Sequence, residues 1–173
     1  EPYRRQRQMC IRDSYRANEL RDYYNELTLR FKKDWNVEFR AYNDGIAYRF
    51  VSRSKKPFSV VDETVDYRFP SDMVASVPYV KAGKDGDYES QYFNSFENTY
   101  TTDRLSKLNK KRLMFLPLVV DAGEGVKICI TESGLENYPG LYLSAAEGEN
   151  RLTGQFAPYP KKTVQGGHNQ LQM

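Results

Sequence analysis

The chain has 173 residues, enough for one domain with a real core, and its 39% hydrophobic and 28% charged shares are ordinary for a globular protein. A formal net charge of +3, with basic residues spread among acidic ones, forms no stripe of the kind that binds nucleic acid. No run of about 18 apolar residues exists to make a membrane-spanning helix.

Residues 1–16, EPYRRQRQMCIRDSYR, are crowded with arginine and have no strand or helix period. The run RQRQMCIRDS resembles translated sequencing-adaptor sequence. Residues 1–23 are therefore expected to be a non-native or disordered leader, set aside from fold reasoning. The alternative is a basic tail that binds an anionic partner. Order is expected from residue 24 to 173, with the chain cut at both ends.

Leu27, Leu29 and Phe31 alternate with Glu26, Thr28 and Arg30, and Val37 and Phe39 alternate with Glu38 and Arg40. Asn43-Asp44-Gly45 is tight-turn chemistry, because these residues tolerate positive φ. Ile46–Val51 then runs back. Glu26–Val51 thus predicts a three-stranded antiparallel meander. Phe58–Phe69 predicts a further strand-pair region, with Phe58, Val60, Val65, Tyr67 and Phe69 facing inward. Residues 70–112 lose the alternation, yet their aromatics argue against disorder. They predict a packed excursion, partly strand, that reaches another surface. Arg104–Lys111 reads as one helical turn or a basic solvated loop.

Leu113–Val120 predicts a strand, with turn residues at Asp121–Gly123. Val126, Ile128 and Ile130 alternate with Lys127, Cys129 and Thr131, the mark of a strand with one face buried. Cys129 is expected to be a packed thiol. Glu132–Gly140 holds two glycines and a proline, hence a shaped loop, and Leu141–Ser144 resumes a strand. This stretch reads either as a plain sandwich hairpin or as a rigid frame that delivers a site. Leu152–Ala157 predicts a last strand. Gly166-Gly167 predicts a turn before a further strand within His168–Met173. An open sheet edge is expected to lower solubility.

Two cysteines and one histidine make neither a disulfide framework nor a zinc site. Asp85-Gly86-Asp87 lacks the other ligand positions of an EF-hand and reads as a turn. Two carboxylates stand out by neighbourhood, Glu97 in an aromatic-rich loop and Glu132 at a strand end. Tyrosine, at 14 residues, suits strands and sugar-facing surfaces alike.

Four blocks in order carry a resemblance: FRAYNDGIAYRF (39–50), LPLVV (116–120), ITESGLENYPGLYL (130–143) and FAPYPKKTVQGGHNQLQM (156–173). Over residues 24–173 the chain resembles the N-terminal domain of glycoside hydrolase family 97, α-glucosidases and α-galactosidases. The resemblance implies an all-β, antiparallel β-supersandwich of galactose-mutarotase-like form, here incomplete and with a long irregular excursion. It implies a C-terminal catalytic (β/α)8 barrel that carries the reactive carboxylates, an α-linked oligosaccharide substrate, calcium in the intact enzyme and periplasmic residence. It also implies a calcium ligand from the N-terminal domain. FENTYTTDRLSKL (96–108) places that ligand at Glu97, with Glu89 in YESQY (88–92) as competitor. The chain alone is expected to be inactive. Two rivals remain: a stand-alone carbohydrate-binding sandwich that stacks sugars on exposed Tyr and Phe, and a purely structural β-domain.

Overall fold

A computed structural model describes residues 3–12, 19–92, 94, 96–136, 138–146, 150–159, 164–165 and 171–172. The chain divides into two units, Glu1–Val60 and Val61–Met173. The fold is all-β and sandwich-like, with antiparallel sheets throughout.

In the first unit, β1 (Tyr3–Arg12), β2 (Glu19–Arg30), β3 (Trp35–Ala41) and β4 (Ile46–Ser52) pair in sequence order. The predicted meander is β2–β4, and β1 extends it, with Tyr3 opposite Thr28 and Arg12 opposite Glu19. The period of two sorts the side chains. Leu27, Phe39 and Tyr48 fall in one cross-strand row, and Leu29, Val37 and Phe50 in the next. The opposite face carries ion pairs, Arg40 to Glu26 at 3.3 Å and Arg49 to Glu38 at 2.7 Å. Opposed charges and apolar rows of this kind fix register, since a one-residue slip exchanges the two faces. The Asn43–Gly45 turn forms as predicted, closed by Tyr42 N–H donating to Gly45 O at 2.8 Å.

In the second unit, one sheet has the order β7 (Tyr100–Arg104), β6 (Val74–Pro78), β8 (Leu118–Gly123), β9 (Val126–Ile130). The other has β10 (Leu141–Ala145), β11 (Arg151–Phe156), β5 (Asp66–Arg68). A short pair, β12 (Val164–Gln165) and β13 (Leu171–Gln172), follows. Thus a strand does form within 168–173, while the Gly166-Gly167 turn lies outside the described residues. One buried cluster draws on both larger sheets: Ala75, Val77, Leu118, Val120 and Ile130 from the first, Leu143, Ala145 and Leu152 from the second. Met114 joins them, bridging Tyr79 on one side and Leu143 on the other.

Three expectations change. Leu113–Val120 is not one strand: Leu113–Phe115 forms the bridge and β8 starts at Leu118, because Pro117 supplies no N–H for a ladder. Phe58–Phe69 keeps only β5; Val65 is buried and Tyr67 and Phe69 pack on the core, but Phe58 and Val60 are exposed. Phe58 instead sets its ring edge against Trp35 at 5.3 Å. Cys129 is exposed rather than packed, and the expected buried face of β9 is covered only at Ile130: on this edge strand Val126 and Ile128 are exposed as well.

The excursion 70–112 is packed and partly strand, holding β6 and β7. Its end makes one 3-10 turn, Leu105–Lys107, which buries Leu105. Another such turn, Glu89–Gln91, buries Gln91.

Candidate functional site

β9 ends at Ile130 and β10 begins at Leu141, so both ends of the 131–140 loop are fixed by strands. Three bonds shape it. Leu141 N–H donates to Glu132 Oε1 at 2.9 Å and closes its base. Glu136 N–H donates to Gly134 O at 2.8 Å; Gly134 has a φ of 69°, which glycine adopts without steric cost. Tyr138 OH donates to Glu63 Oε2 at 2.5 Å, and the Tyr138 ring stands edge-on to Phe156 at 6.0 Å.

Beneath this loop lies a cleft of about 270 Å³. Phe96, Leu116, Leu135, Leu141 and Tyr142 give it apolar walls, and Thr131 and Glu132 supply polar groups. Gly140 lies at the mouth, where a Cβ would stand in ordinary contact, 3.4 Å from Glu132 Oε1. Aromatic rings support the wall. Phe96 stacks on Tyr142 at 6.0 Å and meets Phe115 edge-on at 5.6 Å, while Tyr92 meets Tyr142 at 5.4 Å. Tyr142 OH donates to Tyr92 O at 3.0 Å. Phe96 nevertheless leaves 64% of its surface exposed, so its face is available to a ligand.

Burial pushes the Glu132 carboxyl above its ordinary range, against the opposing effect of the Leu141 N–H, and the charge of Glu63 adds to the rise. Burial and the bond to Glu63 push the Tyr138 hydroxyl up to about 12. Burial, and then Glu132, raise Tyr142. The cleft therefore disfavours added negative charge.

Glu97 is exposed and directly follows Phe96, a wall of this cleft. Asn98 anchors the loop behind it, Nδ2 donating to Tyr79 O at 2.8 Å. Glu89 is also exposed, at the head of the Glu89–Gln91 turn. Asp85 pairs with Arg112 at 2.6 Å, and Asp87 N–H donates to Lys84 O, so Asp85–Asp87 is the turn the sequence predicts. Among the described residues no three His, Cys, Asp or Glu side chains gather as a metal site. Of the two carboxylates singled out in the sequence, the cleft contains Glu132, and Glu97 stands beside its wall. The Glu63–Tyr138 clamp escaped the sequence, because 75 positions separate the partners and neither stands in a motif.

The chain matches the family model described as Glycosyl-hydrolase 97 N-terminal over residues 6–171. It is 82% identical, over 159 residues, to a retaining alpha-galactosidase of Bacteroides thetaiotaomicron. That match covers 92% of this chain and 24% of the relative, so the chain spans about a quarter of the relative's length.

Proposed function

The chain belongs to the glycosyl-hydrolase 97 N-terminal family, and from that membership we propose that it is the non-catalytic β-sandwich of a longer α-glycosidase. In this reading it completes the substrate pocket of a C-terminal catalytic barrel and contributes Glu97 to a calcium ion. The substrate is an α-linked oligosaccharide, with an α-galactoside favoured by the similarity to the alpha-galactosidase. Periplasmic residence belongs to the same reading.

The observation that carries it is the Phe96–Glu97 pair, an exposed ring in the wall of an aromatic cleft followed by an exposed carboxylate. Calcium takes six to eight oxygens. Among the described residues no three His, Cys, Asp or Glu side chains gather, and in this reading the shell is completed from outside the domain. Glu97 supplies one oxygen donor, and the remaining ligands belong to the barrel. Glu89 is the competitor for that place, and Glu132 lies in the cleft itself. Bond cleavage lies outside this domain: if the parent retains configuration, two barrel carboxyls about 5–5.5 Å apart flank the scissile bond. The domain's share is to shape the pocket and exclude water from one side.

The test is the full-length enzyme carrying Glu97→Gln. Calcium affinity should fall by about tenfold or more, since affinity follows the count of charged ligands, and turnover should fall with it. Unchanged calcium affinity and turnover would refute Glu97 as ligand.

A second reading, a stand-alone carbohydrate-binding sandwich, draws on the exposed Tyr48 and Phe50 of β4. It requires sugar affinity that Tyr48→Ala and Phe50→Ala remove.

A further inference from the structure

We propose that Asn98, together with Asn94, is a positioning residue for Glu97: two side-chain amides pin the chain on either side of that carboxylate and present it outward. The inference rests on the calcium reading above and names residues that act through Glu97 rather than on the ion itself. Glu97 lies on the connection from the Glu89–Gln91 turn to β7. Asn94, Phe96, Glu97 and Asn98 belong to no strand or helix. A carboxylate on such a connection needs another source of rigidity if it is to serve a metal.

Side chains supply that rigidity. Asn94 Oδ1 accepts the Ala82 N–H at 3.1 Å, and Asn94 Nδ2 donates to Gln91 O at 3.2 Å. One amide thus ties the connection to two stretches of backbone. Asn98 Nδ2 donates to Tyr79 O at 2.8 Å, and Asn98 Oδ1 accepts the Thr99 N–H at 2.9 Å. Tyr79 is itself fixed: its hydroxyl accepts the Asn109 N–H at 2.8 Å, and its backbone bridges to Met114. Between the two anchors the Phe96 ring leans on Phe115 and Tyr142. Glu97 therefore stands between a packed ring and a bonded amide.

The carboxylate between these anchors is exposed and takes no hydrogen bond or ion pair among the described residues. Other carboxylates of the 70–112 excursion are engaged within the domain: Asp72 by Ser106, Asp85 by Arg112 and Asp103 by the Arg104 N–H. A pinned backbone that carries a hydrated, unengaged head is preorganised for a partner from outside, since the ordering is done before that partner arrives. Asparagine suits the anchor because its neutral amide donates and accepts without placing a second charge beside the ligand.

The test is a double-mutant cycle in the full-length enzyme, read as calcium affinity by chelator competition. Asn98→Ala alone should weaken calcium binding by about tenfold, the lower end of what outer-shell partners of a metal ligand contribute. In the Glu97→Gln background the same change should add about twofold at most, because the ligand it positions is already altered. Asn94→Ala loosens the connection from its other end and should show the same coupled loss, which keeps the test decisive if Asn98→Ala fails to fold. Thr102→Val is the control: it removes an exposed hydroxyl bond to Ser76, 2.8 Å long, and should leave affinity at the parent's value. Unchanged affinity in both asparagine variants overturns the inference. So does an equal loss with and without Glu97, which would mark a purely structural role. If Glu97→Gln weakens calcium while the asparagine variants do not, the ligand stands and the positioning role falls. If Glu97→Gln is itself silent, the calcium reading falls and this inference falls with it.

Discussion

Gln91 accepts the backbone N–H of Leu113 on its Oε1 at 2.8 Å, a buried bond across 22 positions. Its Nε2 donates to Lys84 O at 2.7 Å and Lys111 O at 2.9 Å. One amide thus uses acceptor and both donors to dock the 84–92 segment on the rib that feeds the cleft. Gly83 is part of the fit, since a Cβ there would meet Gln91 Cγ at 2.6 Å. Replacing Gln91 by Leu leaves a buried N–H without its acceptor and two carbonyls without their donor. The loss should be about 3 kcal/mol or more, at roughly 1–3 kcal/mol per orphaned group. A urea midpoint equal to that of the parent would refute this.

Glu132 gives the cleft a pH signature. Its pKa in the folded chain is raised above the ordinary 4.5. The folded state therefore holds the proton more tightly than the unfolded chain. Stability contributed at this position falls as pH rises through the carboxylate range and levels off above the folded pKa. Glu132→Gln removes the titration. The stability difference between variant and parent, measured by urea unfolding from pH 4 to 7, should shift in the variant's favour with rising pH. A difference independent of pH would contradict the assignment.

Asp72 behaves in the opposite sense. Ser106 donates its backbone N–H to Oδ1 at 2.9 Å and its hydroxyl to Oδ2 at 2.8 Å, which holds the carboxyl below its ordinary 3.8. Its contribution is present above pH 3.8 and lost as pH falls through the lower folded value. Ser106→Ala removes the hydroxyl donor, so a carboxyl-carbon NMR titration should show Asp72 moving up towards the ordinary value. No movement would mean that the hydroxyl bond has no part in the shift.

Cys129 stands outward on β9 and is exposed. A thiol reagent should label it in the native chain without denaturant, and Cys129→Ser should remove that share of the labelling. Labelling of Cys129 only after unfolding would contradict its outward position.

The strands were legible where alternation coincided with turn chemistry. Trp35–Ala41, Val126–Ile130 and the 43–45 turn need only local rules, and each formed with at most a residue's difference at its ends. Phe58 and Val60 carry the same alternation but found no strand partner among the described residues, because pairing is a property of two segments and pattern a property of one. β9 shows the converse: its alternation was read correctly, but on an edge strand only Ile130 is covered, and Val126, Ile128 and Cys129 all stay exposed. At the site, Glu132 and Glu97 were visible by neighbourhood. The cleft was not, since Phe96, Leu116 and Tyr142 come from three separate segments. Gln91 looked like any polar residue in a loop; its burial follows from the distant carbonyls it serves.

Met114 exchanges two bonds with Leu143, each at 2.8 Å, and its other edge faces Tyr79. Its flanks are tied as well, Val80 N–H to Leu113 O and Phe115 N–H to Pro78 O. The two sheets of the second unit therefore open together, because neither can swing away without breaking this shared seam. In deuterium exchange the amides of Met114 and Leu143 should be among the last to trade protons and should report opening of the whole unit. A protease cut within 131–140 would leave the seam standing, holding two severed pieces as one body.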